Sequence, residues 1–336
     1  MKKVTRKEVP MTSLYTRMRT HGTLTETPEE IPDAVFALPS TLNWMRAEAI
    51  LVSDCALDFS TAQAFYGRVQ RKELSERQLN SVFEQLLFSL HQIAALRGMA
   101  AVPNKADVAR VGIVTWYYGV YGAASAMTAA ADGSFPETHA STARQWDRQI
   151  VEAKLAMAPF SDRLGSLVKS DVEGDLTGPR SRGSHSLTSV PRTPEQAWGC
   201  HAEYLSGTAS WEQWNLEQQV RNSREFKELG VDNFRTKAAR ALRDDAFGRK
   251  SICFLHEASR YRGKANYRDA IYLAYGKAVP KLADGFIDDL TTVLTGFSAM
   301  AAGYCSVRMG RERWKTFMED LEEGRAISFS PLAVWS

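Results

Sequence analysis

The chain is poor in the residues and motifs that announce most catalytic chemistries. Its four cysteines, Cys55, Cys200, Cys253 and Cys305, lie far apart, with no CxxC pair and no short Cys/His spacing. That pattern argues against a zinc site and against a disulfide framework, so no metal and no cofactor are expected. Nothing reads GxxxxGK(S/T), no GxGxxG follows a strand, and neither GxSxG nor HExxH occurs, which removes the common nucleotide-binding and hydrolase signatures. Convincing strand alternation is missing as well, and so is any internal repeat. Residues 1–22 are basic but lead into no apolar segment of the kind a secretory signal needs. The resulting expectation is a cytoplasmic protein with reduced thiols.

What remains is an ordinary globular composition. Apolar residues make up 44% of the 336 and charged residues 24%, which excludes disorder and is enough to build a large core. Two runs carry no charge at all, Val111–Ala131 and Leu290–Val307. Each approaches the roughly 20 residues that span a bilayer. Both are rich in Ala, Gly, Ser, Thr and Tyr, which contribute little to insertion, so they read as buried bundle helices rather than membrane spans. Small side chains let helix backbones approach closely, and these two segments are expected to pack against each other or a third helix at the centre of one core.

Elsewhere the period is helical. Leu79, Val82, Phe83, Leu86, Leu87, Leu90 and Ile93 form one apolar stripe, opened by a capping box at Ser75 and Gln78. A second capping box is read at Ser210 and Gln213. The chain divides into a basic, irregular arm at 1–40, a helical extension at 41–74, a helical domain at 75–322 and a tail at 323–336. The domain is interrupted at 161–195, where Ser, Gly and Pro supply 14 of 35 residues, the composition of a flexible surface insertion. The fold class is therefore all-α, a helical bundle. Paired acids at Asp244-Asp245 and Asp288-Asp289 point about 100° apart on a helix and are read as solvated faces.

Positive charge is unevenly placed. Between Arg221 and Asp269 there are 13 Lys or Arg against 7 Asp or Glu. Within HEASRYRGKANYRD, Arg260, Arg262, Lys264 and Arg268 alternate with Tyr261, Asn266 and Tyr267. Guanidinium groups bind phosphate bidentately and tyrosines stack on bases, so the segment is a candidate nucleic-acid footprint. The competing reading is a solvated helix face. Among six scattered histidines, a solitary one is more often structural. His139, in SFPETHAS, and His256, one turn before the basic cluster, are the two candidates for a general acid or base.

The order of these features resembles a known family. VARVGIVTWYYGVYGAASAMTAAADGSFPETHASTARQWD looks like the first half of a HEPN domain: a helix with tyrosines and small residues, a glycine turn, then a Thr-His pair opening the next helix. RYRGKANYRDAIYLAYG is similar to the region after that family's third helix. The resemblance covers roughly residues 75–322. It implies binding of nucleic acid, RNA in preference to DNA, by a homodimer or a subunit of a larger prokaryotic defence or nucleic-acid-processing assembly, with no membrane involved. Active members cut RNA without metal, using an Arg and a His on one helix with four to six residues between them. Counting from Arg260 or Arg262, Asn266 or Tyr267 stands where that His should be, and an amide exchanges no proton at neutral pH. Three readings follow: a non-cleaving binder, a ribonuclease in which His256 or His139 replaces the absent His, and a structural or protein-interaction module that binds no nucleic acid.

Overall fold

In a computed structural model of the protein, residues 34–268, 273 and 279–336 are described. Helix α1 (Ala34–Asp54) is followed by short α2 (Phe59–Phe65) and the long helices α3 (Glu76–Ala100) and α4 (Ala109–Asp132). Helix α5 (His139–Trp146) runs on into a π-helical turn, Asp147–Val151, and then come strand β1 (Arg163–Leu164) and short helices α6 (Lys169–Asp175) and α7 (Thr177–Ser181). Next are α8 (Pro194–Asn222), α9 (Arg224–Glu228), α10 (Lys237–Gly248), strand β2 (Ile252–Cys253) and α11 (Phe254–Gly263), which continues as π-helical Lys264–Arg268. Helices α12 (Val279–Leu282), α13 (Phe286–Met309) and α14 (Arg311–Gly324) close the chain. The protein is an all-α bundle, with one two-residue antiparallel pairing of β1 and β2.

At its centre α3, α4 and α13 pack against one another. The two uncharged runs are thus α4 and α13, in contact as their small residues suggest. A Cβ at Gly112 would stand 2.8 Å from the Ile287 side chain, and one at Gly119 only 2.5 Å from that of Leu294, so glycine is what admits α13 this closely. Helix α13 is long and apolar enough to cross a membrane by composition, yet most of it is buried inside this bundle. The predicted cap of α3 is present: Ser75 Oγ accepts the Gln78 N–H, and the Gln78 side chain returns to the Ser75 N–H.

Several expectations need correction. Residues 34–40 are not irregular, because α1 begins at Ala34 and carries Pro39 inside it. Burial of Leu38, Leu42, Trp44 and Met45 against the core outweighs the one backbone hydrogen bond a proline removes. Residues 1–33 of the predicted arm lie outside the described residues. The extension 41–74 is no appendage, since α1 packs on α8 and α13. Nor is 161–195 a loose insertion: Leu164, Leu167, Val172 and Leu176 are buried in a small second core with Leu205, Ala209, Phe247 and Ile252. These apolar residues, sparse in sequence, join one cluster with Leu205 and Ala209 of α8. The tail also packs, for Trp335 is fully buried and its Nε1–H donates to Ser298 Oγ at 3.2 Å. Ser210 and Gln213 lie in mid-helix rather than at a cap. Helix α8 starts earlier, where Thr193 caps it ahead of Pro194. Finally, Asp289 is buried against Arg46 at 2.9 Å rather than solvated, and burial pushes its carboxyl up to about 7.

Candidate nucleic-acid interface

Helix α11 carries most of the predicted site, and its geometry sorts the residues. At its N-terminus His256 Nδ1 accepts the Cys253 N–H at 3.2 Å, a reciprocal cap. Burial first, then nearby Lys250, pushes its imidazole down to about 4. His256 is therefore a neutral capping group with its Nδ1 engaged, poorly placed for proton transfer to a solvent-borne substrate. Tyr261 is also corrected. It is fully buried, donates to the Thr41 carbonyl at 2.8 Å and meets the ring of Trp44 edge-on at 4.7 Å, so no base can stack on it.

Arg260 and Arg262, two positions apart on a helix, leave it about 200° apart. Arg260 turns to α8: Nη1 donates to Thr208 Oγ1 at 2.9 Å, and the guanidinium lies over the rings of Tyr204 and Trp211 at 5.3 and 5.9 Å. Lys264 follows on the same side, 5.6 Å from the Tyr204 ring centre. Arg262 turns to α4 and stands 4.8 Å from the centre of Tyr117. Asn266 lines a cleft of about 630 Å³ together with Asn104, Asp107, Arg110 and Val114, and Arg110 Nε donates to the Ala265 carbonyl beside it at 3.1 Å. The side chains of Tyr267 and Arg268 lie outside the described residues.

His139 reaches the Arg262 side from another element. Thr138 caps α5, fixing His139 as its first residue, and the ring sits 4.3, 5.3 and 5.6 Å from Tyr121, Tyr117 and Tyr118. Burial and the charge of Arg262 both hold its imidazole below the usual histidine range, so it is neutral at pH 7. Tyr117 shares a hydrogen bond with Ser259 of α11. Two nitrogens here, His139 Nδ1 and Arg262 Nε, are buried without a hydrogen-bond partner. An arginine, an imidazole and three phenols thus share one patch, all of them groups able to donate hydrogen bonds.

A second polar cluster was not legible in the sequence. His201 Nδ1 meets Glu48 Oε1 at 2.7 Å and Nε2 meets Asp162 Oδ2 at 3.0 Å, and Arg182 also pairs with Asp162. Burial alone would push the imidazole down; the two carboxylates outweigh it and hold it well above the usual range. Buried Glu257 is pushed up to about 8, chiefly by burial. Two acids are matched by two bases and the fifth group stays protonated, a self-neutral layer. Its only sequence signal is Glu48 amid the apolar run Ala47–Val52, whose partners stand more than 100 residues away. Among the described residues, no group of three or more His, Cys, Asp or Glu side chains is placed to hold a metal ion. In comparisons with known proteins, the chain matches no family model, no curated protein and no solved structure.

Proposed function

We propose that this chain is an HEPN-like, RNA-binding helical protein that holds a backbone phosphate between Arg262 and His139, as a cytoplasmic subunit of a larger nucleic-acid-processing or defence assembly. One observation carries the reading: the two orphaned nitrogens, from elements more than 100 residues apart in sequence, sit over the same tyrosine patch. A buried donor without an acceptor costs about 1–3 kcal/mol, and a phosphate oxygen removes that cost for Arg262. The resemblance to HEPN domains supplies the preference for RNA and the assembly. A salt titration of labelled single-stranded RNA binding tests it. Affinity should fall steeply with salt, and Arg262→Ala should weaken it about tenfold or more. Unchanged affinity in Arg262→Ala removes the phosphate site.

A second reading, cleavage, is favoured by the neutral state of His139 beside Arg262. Nδ1 would take the proton of a ribose 2′-OH as that oxygen attacks phosphorus. The bond to the 5′-oxygen would break, water would protonate the leaving oxygen, and Arg262 would hold the developing phosphate charge. Incubation with labelled RNA in EDTA should then give fragments ending in a 2′,3′-cyclic phosphate, and His139→Ala should stop their formation. Intact RNA after prolonged incubation leaves the binding reading alone.

A further inference from the structure

Helix α8 changes environment part-way along one face. Tyr204 on that face stacks on Trp44 at 4.1 Å inside the core, and Thr208 receives Arg260. Beyond Thr208 the same face emerges into solvent. At 100° per residue it carries Trp211, Trp214, Asn215, Gln218, Arg221 and Asn222, with Glu212 and Glu217 at its two edges. Those two acids face α10 and its flank, where Glu212 meets Lys250 at 3.8 Å and Glu217 meets Arg243 at 3.9 Å. Trp214 is 38% exposed, a large ring left in water, with Glu217 one turn away drawn toward Arg243. Cations bracket the stretch. Arg260 lies over Trp211 at one end, and at the other Arg221 and Arg243 flank Phe234 at 5.3 and 5.7 Å. Around that far end Lys227, Arg235, Lys237 and Arg240 are exposed and make no ion pair among the described residues.

We infer that this face of α8, from Trp211 to Arg221, is a track for single-stranded nucleic acid, with bases stacking on the exposed tryptophan and the backbone held by the arginines at either end. An exposed tryptophan beside arginine and uncharged amides, its neighbouring Glu217 engaged by Arg243, matches what a single strand needs: a π-face for any base and positive charge along the phosphates. A duplex hides its base faces and gains nothing from Trp214. Ten residues of helix rise about 15 Å, the length of about four stacked nucleotides. The inference rests on the proposed RNA reading and deepens it, because Arg260 and Arg262 straddle α11 and a strand leaving the phosphate site needs to cross only one helix diameter, about 10 Å, to reach Trp211.

The test compares short and long oligouridine, about 4 and about 12 nucleotides, and a 12-base-pair RNA duplex, each against wild type, Trp214→Ala, Trp214→Phe, Arg221→Ala and Arg262→Ala. For the long single strand, Trp214→Ala should lose about tenfold in affinity while Trp214→Phe, which keeps a ring, retains most of it. Arg221→Ala should lower the salt slope by about one, and the duplex should bind more weakly than the long strand. Tenfold loss with Arg262→Ala but none with Trp214→Ala or Arg221→Ala overturns the track and leaves the phosphate site standing. No binding by the wild type overturns both. Equal affinity for duplex and single strand also overturns the track.

Discussion

His139 and His201 are the same side chain in opposite surroundings. Each meets aromatic rings, His139 three tyrosines and His201 the single ring of Trp198 at 5.4 Å. His201 has a carboxylate on each nitrogen and is held charged; His139 has an arginine beside it, an orphaned Nδ1, and is held neutral. One cluster has both nitrogens of its imidazole paired with carboxylates, although Glu48 Oε2 and Glu257 Oε1 in it lack partners; the other leaves the imidazole's Nδ1 and an arginine Nε without one. Opposite charges paired inside the protein fix the arrangement of helices, whereas cationic and polar donors without partners gain from any acceptor that reaches them.

The largest effect comes from breaking the His201 cluster. His201→Ala leaves Glu48 and Asp162 facing each other without their shared partner, and chemical denaturation should show a loss of about 3–5 kcal/mol. The same substitution at His139 should cost under about 1 kcal/mol, since no hydrogen bond to Nδ1 is lost. Next is the His139 cluster's response to protons. His139 gains a proton only below its ordinary 6.5, so RNA affinity should strengthen as pH falls beneath that value, and His139→Ala should abolish the pH slope. Smaller in size, Glu257 sharpens the contrast from the His201 side. Its carboxyl is pushed up to about 8 from 4.5, so the folded state holds a proton that the unfolded state loses across that window. Stability contributed by this group is full below about 4.5 and is lost as pH rises toward 8. Glu257→Gln should flatten that decline between pH 4.5 and 8 in a urea titration repeated across pH. His256 acts in the reverse sense, its neutral form losing stability as pH falls from 6.5 toward 4. The smallest expected change is Tyr261→Phe, which removes one buried hydrogen bond, costs about 1 kcal/mol in thermal melts and leaves RNA affinity unchanged.

Much of the architecture was legible along the chain. The uncharged runs announced α4 and α13 because charge is excluded from a packed centre, and their small residues announced a close approach that the structure locates at Gly112 and Gly119. Capping chemistry located the start of α3, since Ser75 and Gln78 satisfy backbone groups within four residues of each other. The start of α5 at His139 was implied only by the HEPN resemblance; in the structure Thr138 caps it there. Within the basic segment, however, alternation of Arg and Tyr suggested one surface. A helix of 3.6 residues per turn distributes those residues around its whole circumference, sending Tyr261 into the core and the two arginines to opposite sides. Local composition also misread 161–195, because a few well-spaced leucines suffice to pack a Ser- and Gly-rich segment once a neighbouring helix offers a surface.

By itself, then, the sequence determined the all-α class, the central helices, several helix ends and the concentration of positive charge before α12. Those properties depend on periodicity, capping and composition, which act over a few residues. Only the tertiary structure decided that His139 faces Arg262, that His256 is a cap, that Glu48 and His201 close a buried ionic layer and that α8 carries its tryptophans out of the core. Each of these is a contact between segments far apart in the chain, and packing sets such contacts by the total apolar surface and charge that the whole fold must bury together.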